Sequence, residues 1–170
     1  MAEETSASGG AGERPTFTIH TQYIKDQSVE NPNAPRVFME MKEAPEVSVN
    51  LDVNVNTLSQ DTYEVVLEAE VTATSEEKTA FVIELNYGGL VSLQGAETPQ
   101  QREHLLLIEA PQFLFPFARA IISAATRDCG FPPLLISPID FVKLYRQRRE
   151  KAAAAQEAAG QEAANNGQDQ

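Results

Sequence analysis

The chain has no tryptophan, one cysteine and two histidines in 170 residues, and these shortages close off several kinds of chemistry. With Cys129 alone, no disulfide can form within the chain, a usage compatible with a reducing compartment. Cys129, His20 and His104 are the only soft or imidazole ligands and share no clustered spacing, so no metal centre is expected. No histidine neighbours Cys129 in sequence, so it reads as a small buried filler rather than a nucleophile. His20 falls on the polar side of an alternating segment and reads as a surface histidine. No run of eighteen apolar residues occurs, so no membrane-spanning helix is expected. Residues 1–15 lack the basic start and apolar stretch of a secretory signal, which places the protein in the cytoplasm as an expectation. Gly88-Gly89, the glycine pair of the central region, is followed by no Gly-Lys-Ser/Thr, which removes a phosphate-cradling loop. The pair reads instead as a bulge or a close backbone approach. Nothing assembles a base, a nucleophile and an oxyanion site, so neither an enzyme nor a cofactor is expected.

Basic residues are also scarce. The chain carries 25 acidic and 13 basic side chains, a net charge of −12. The tails hold few of these charges, so most of the excess acid belongs to the region between them. Such a field repels phosphate backbones and anionic membrane surfaces and attracts basic partners.

What is present falls into three parts. Residues 1–15 mix Gly, Ser, Ala and Glu and are expected to be a disordered tail. Residues 152–170 are rich in Ala, Gln, Glu and Asn, a low-complexity tail in which alanine permits frayed helix with no apolar face to dock it. Residues 16–151 are expected to fold. Their first half reads as strands. Phe17, Ile19, Thr21 and Tyr23 alternate with Thr18, His20, Gln22 and Ile24, and the turn-rich 30–35 ends that strand. Val47, Val49, Leu51, Val53 and Val55 share one face of a second strand; Tyr63, Val65, Leu67, Ala69 and Val71 share one face of a third. A fourth runs over 79–87 and ends at Gly88-Gly89, with Phe81, Ile83, Leu85 and Tyr87 on one side and Ala80, Val82 and Glu84 on the other. The second half has helical spacing: Leu105, Leu106 and Ile108, then, past Pro111 and Pro116 bracketing a helix entry, Leu114 to Ala125. Gly130 and Pro132-Pro133 stop that helix. A last helix is predicted from Ser137 as cap, with Pro138 in its first turn and Asp140 as a capping-box acid. Strands followed by helices give an α+β domain, an antiparallel sheet with helices packed on one face.

Two surpluses need a use. Strand four is apolar on both sides, and Val37-Phe38-Met39 and 113–117 are apolar as well. This is more than a small domain needs for its core, and the excess points to oligomer contacts or a binding groove; burial in the core is the plain alternative. Glu64, Glu68 and Glu70 recur at strand spacing, which is either a solvated negative face or an electrostatic docking surface. Ile83, Leu85 and Tyr87 are the candidate oligomer contacts, and Phe38 the candidate groove residue.

At this point the residues resemble a family. The segment from Phe17 through Tyr23, Lys25-Asp26 and Glu30 to Pro32-Asn33-Ala34-Pro35, followed by Val37-Phe38, is similar to the first strand and turn of the SecB export chaperones. Tyr63-Glu64-Val65-Val66-Leu67, Thr79-Ala80-Phe81, Gly88-Gly89, the run Leu114-Phe115-Pro116-Phe117-Ala118-Arg119 and Gly130-Phe131-Pro132-Pro133-Leu134 recur in the family's order. The likeness covers about residues 16–148. One departure is the loop before strand two, where the family often has a tryptophan and this chain has none. The resemblance implies a four-stranded antiparallel sheet with helices and a homotetramer arranged as a dimer of dimers. It also implies ATP-independent holding of unfolded precursor chains in apolar grooves and delivery to the motor SecA. The zinc-bearing, basic C-terminal end of SecA would meet the sheet at Asp26, Glu30, Val82 and Glu84. Two other readings compete: an acidic oligomeric adaptor linking folded proteins, and a small-molecule enzyme or carrier, which would need a converging polar constellation that the sequence does not offer.

Overall fold

The structure is a computed structural model that describes residues 14–166, with side chains to residue 154. Most of the predicted tail 1–15, and residues 167–170, lie outside the described residues. Four strands, β1 (Thr16–Glu30), β2 (Glu46–Thr57), β3 (Thr62–Ser75) and β4 (Lys78–Gln94), form one antiparallel sheet in the order β1-β4-β3-β2. A short helix, α1 (Arg36–Glu40), follows β1.

The period-two pattern places the core. Val47, Val49, Leu51, Val53 and Val55 pair across with Ala73, Val71, Ala69, Leu67 and Val65. This apolar face continues through Phe81, Ile83, Leu85 and Tyr87 of β4. Helices cover it. Helical residues run without a break from Pro99 to Asp128: α2 (Pro99–His104), α3, a single π-helical turn (Leu105–Glu109), and α4 (Ala110–Asp128). No separate helix entry is found at Pro111 and Pro116, since both lie within this continuous run. The π turn lies just before Pro111, where the wider turn relieves the clash of the ring with the preceding turn and tolerates its missing N–H. Thr98 opens this rod with a capping box: its side chain accepts from Gln101 N–H at 3.2 Å, while Gln101 Oε1 accepts from Thr98 N–H at 3.0 Å. By length and mean composition the rod could cross a membrane, although it lacks an unbroken apolar run. Half of its most apolar window is buried in the domain, which is the situation of a core helix.

The last helix, α5 (Phe141–Asn166), starts later than predicted. Asp140 is its cap, with Oδ1 accepting from Lys143 N–H at 2.9 Å and its carbonyl accepting from Leu144 N–H at 3.0 Å. Ser137 and Pro138 therefore precede the helix. The backbone stays helical through the alanine-rich stretch as far as Asn166.

Strand β4 does not end at Gly88-Gly89 but runs through it to Gln94. The glycines serve close approach. A Cβ on Gly88 would stand 2.9 Å from the Tyr23 ring, and one on Gly89 2.9 Å from Leu114 Cδ2. The sheet thus receives a ring on one side and a helix side chain on the other.

The β3–β4 hairpin turns on Glu76 (φ 48°) and Glu77 (φ 65°). Two L-residues in the left-handed region are strained at a turn that favours Asn-Gly. The 4.0 Å contact of Glu76 with Lys42 joins two exposed side chains and offsets little of this. Replacing the pair by Glu76→Asn with Glu77→Gly is expected to stabilise the fold by about 1 kcal/mol, read as a rise in melting temperature by circular dichroism. An unchanged or lower value would show that the turn is not strained.

Candidate functional site

The face of the sheet away from the helices is built by the alternate residues of the same strands. Its cross-strand rows run Ser28, Glu84, Glu70, Asn50 and then Asp26, Asn86, Glu68, Asp52. Asp26, Asn50, Asp52, Glu68, Glu70, Glu84 and Asn86 line a shallow depression of about 330 Å³. Glu70 and Glu84 stand directly opposite each other on neighbouring strands, where like charges repel. Local cations and donors answer only part of this acid: Ser28 Oγ donates to Glu84 at 3.2 Å, and Arg148 lies 3.1 Å from Asp52.

Asp26 and Glu84 fall together in this depression, and Glu30 pairs with Val82 at one end of the same face. The four positions suggested by the resemblance thus share a surface. The strand-spaced acids divide. Glu68 and Glu70 belong to the depression, whereas Glu64 is 9% exposed and is not a solvated acid. Tyr23 O–H donates to its Oε1 at 2.6 Å, Lys25 Nζ to its Oε2 at 2.7 Å and Asn56 Nδ2 to its Oε2 at 2.8 Å. Lys25, Tyr23 and Asn56, in that order, hold the Glu64 carboxyl at about 2 against the opposing push of burial. The Tyr23 hydroxyl is raised to about 12, first by its bond to Glu64 and then by burial. Alternation alone could not find this network, because β1 contains an extra residue at His20 that moves Tyr23 to the face opposite Phe17 and Ile19.

The apolar surplus also divides. Ile83 and Leu85 are 0% and 1% exposed, and Tyr87 is buried with its ring stacked on Phe117 at 6.4 Å. They are core residues beneath the protomer's own helices and not the intersubunit contacts expected of them; β4 is central, and helix α4 fills that side. The exposed apolar residues lie elsewhere. Ile24 and Val29 lie on the outer strand β1, Phe113 and Phe117 on α4, Leu58 in the β2–β3 turn and Leu135 after α4. Phe17, Ile19, Phe113 and Phe117 line an open groove of about 580 Å³ between β1 and α4. Phe38 is 43% exposed and Met39 83%. The Phe38 ring packs on Phe131 at 5.1 Å, and Phe131 on core Phe81 at 4.9 Å, so an aromatic ladder runs from the core to the surface.

Arg148 also reaches the free edge of β2. It donates to the Val53 carbonyl and, at 3.1 Å, to Asn54 Oδ1, while Asp52 Oδ1 accepts the Val53 N–H at 2.8 Å. His20 Nε2 lies 2.8 Å from Ser92 Oγ on the surface, and Cys129 is buried, its thiol raised by desolvation and then by Asp128. Among the described residues no three His, Cys, Asp or Glu side chains are grouped to hold a metal ion.

Comparison with known proteins gives one answer. Residues 10–152 match the family described as preprotein translocase subunit SecB. A protein of Parvibaculum lavamentivorans named protein-export protein SecB is 46% identical over 91% of this chain and 92% of its own length. One of the same name from Maricaulis maris is 43% identical over 98% of this chain and 95% of its own. Among solved structures, a SecB-like chaperone of Mycobacterium tuberculosis in complex with an antitoxin peptide superposes with a TM-score of 0.61. It shares 12% identity over 72% of this chain and 90% of that one, a likeness of fold.

The Glu64 network makes a pH prediction. A carboxyl whose folded value lies below its unfolded value adds stability above about 4.5, and that stability fades as pH falls toward about 2. Glu64→Gln is therefore expected to be less stable than the parent at pH 7, with the gap narrowing at pH 3, by urea unfolding at both. An equal gap at both would show that the carboxylate charge is not what the network uses.

Proposed function

The chain belongs to the SecB family and is a chaperone of protein export, and from that premise we propose how its surfaces divide the work. The family is one of chaperones, not enzymes, which bind precursor proteins and serve the export machinery. In the proposed reading this protein holds unfolded precursors in the cytoplasm without ATP hydrolysis and passes them to SecA. It works as a homotetramer, a dimer of dimers. The observation that carries the hand-over is the acidic depression, where Asp26 and Glu84 converge with Glu68 and Glu70. Glu30 and Val82 extend the same surface. Such a field suits the basic, zinc-bearing C-terminal end of SecA; the zinc belongs to that partner. Core burial of helix 99–128 agrees with a protein that does not enter the membrane.

Clients need apolar area, and Phe38 supplies it. Its ring is exposed on one side and backed by Phe131 on the other, which gives a large contact at low entropic cost. Assembly needs a second surface. Among the described residues the outer strand β1 has an unpaired edge, with Ile24, Phe113 and Phe117 exposed on its helix side, and a second copy is the partner that would cover both.

Glu84→Lys, or Asp26→Lys with Glu30→Lys, is expected to weaken SecA binding about tenfold or more, on the scale of ~1.4 kcal/mol. Client holding and subunit number should not change. Salt should weaken SecA binding of the parent more than client binding, since exposed charges are screened over about 8 Å at physiological ionic strength. Normal SecA binding by the reversed-charge variants would leave the carboxylates as a solvated face.

Phe38→Ser should reduce protection of a denatured precursor from aggregation in the absence of nucleotide. Unchanged protection removes Phe38 from the client surface. Phe113→Asp with Phe117→Asp should lower the mass seen by light scattering from about four chains; an unchanged mass would place the contact elsewhere. An adaptor for folded proteins, in contrast, would not protect the denatured precursor at all.

A further inference from the structure

Strand β1 carries two residues, His20 and Lys25, that have no partner in the ladder with β4. Each shifts the alternation by one and so exchanges the two faces of everything beyond it. The second shift decides where the docking residues go. After Lys25, Asp26, Ser28 and Glu30 pair with Asn86, Glu84 and Val82 on the acidic face, while Gln27 and Val29 turn to the helix side. Without it, Asp26 and Glu30 would point toward the helices.

The backbone alone holds such a register weakly, because sliding by one residue exchanges one set of ladder hydrogen bonds for another. Side chains supply the lock. Tyr23 lies flat over Gly88: a Cβ there would stand 2.9 Å from its Cε2 and 3.2 Å from its hydroxyl oxygen. Across this gap in β4, Tyr23 donates to Glu64 Oε1 on β3 at 2.6 Å. Lys25, the inserted residue itself, donates to Glu64 Oε2 at 2.7 Å. Asn56 of β2 holds the same carboxylate from the other side at 2.8 Å. The side chain of Glu64 is 12% exposed, too enclosed to meet a partner directly, and that of Lys25 is 45% exposed.

We propose that Glu64 is the positioning residue of the docking face: through Tyr23 and Lys25 it fixes the inserted residue of β1 and so holds Asp26, Ser28 and Glu30 toward the partner. This rests on the docking reading of the acidic face. It adds that the face works by geometry, set from two strands away, as well as by summed charge.

Lys25→Glu separates these two contributions. It turns a cation beside Asp26 into an acid. A surface acting by charge alone would bind basic SecA more tightly after this change. A surface that depends on the lock loses it, because the introduced carboxylate repels Glu64 instead of bonding to it. The expected result is SecA binding weakened about tenfold by calorimetry, the scale of a lost charge-assisted hydrogen bond. Faster amide hydrogen exchange is expected over residues 26–30, with precursor holding unchanged. Glu64→Gln, which keeps an acceptor for Tyr23 but not the charge that draws Lys25, should act in the same direction with smaller size, and it decides the matter if Lys25→Glu does not fold. Exchanging the pair, Lys25→Glu with Glu64→Lys, should recover most of the binding. Tighter SecA binding by Lys25→Glu, or unchanged exchange over 26–30, overturns the proposal. Glu84→Lys in the same series tests the docking reading separately. If Glu84→Lys binds SecA normally, that reading fails, and hydrogen exchange alone then judges the lock.

Discussion

Leu114 reaches into the sheet at Gly89, where no side chain of β4 stands in its way, and the rest of the molecule is arranged around that contact. Leu114 is fully buried with Ala118 and Ile122 along one side of the rod, and Phe81, Ile83 and Leu85 of β4 belong to the same core. Burying side chains of this size contributes about 1.5–3 kcal/mol each before the cost of ordering them. One sheet face is thereby spent on the protomer's own stability. Among the described residues no helix packs over the other face, which need not be apolar and so can carry charge. The division of labour between a dry face and an acidic one is a consequence of packing one helical rod on a four-stranded sheet.

The acidic face carries a cost that the fold meets elsewhere. Glu70 opposes Glu84 directly, and pairs of like charge destabilise a sheet. Glu64 stands on the same face without adding to this repulsion, since Lys25, Tyr23 and Asn56 all hold its carboxylate. Two kinds of acid therefore share one surface: a neutralised one that ties strands together, and exposed ones that leave a negative field available to a basic partner.

Much of this is legible in the sequence. The valines of β2 and the alternating run of β3 mark which face is dry, and the surplus of acid between the tails places the negative surface on the folded part. Family resemblance, not periodicity, supplies Asp26, Glu30, Val82 and Glu84. Three things are not legible, each for a physical reason. Single inserted residues leave no mark in an alternating pattern, so alternation assigns Tyr23 to the wrong face. Glycines that end many strands can instead let one strand be approached from both sides, so the pattern cuts β4 short. An apolar strand can be central rather than shared between subunits, and neither composition nor period separates the two; Ile83, Leu85 and Tyr87 are misplaced on that account. The start of the rod at Thr98 is available in the spacing of Thr98 and Gln101, a capping-box signature.

Arg148 and Asp52 together occupy both backbone groups of Val53 on the open side of β2. A bare strand edge is a template on which an extended chain can add more sheet. With Val53 taken, the ladder that β2 offers is interrupted midway, and a strand added there cannot run the full length of its neighbour. Arg148 thus ties the last helix to the outer edge of β2 and breaks, at Val53, the row of backbone groups that this edge presents.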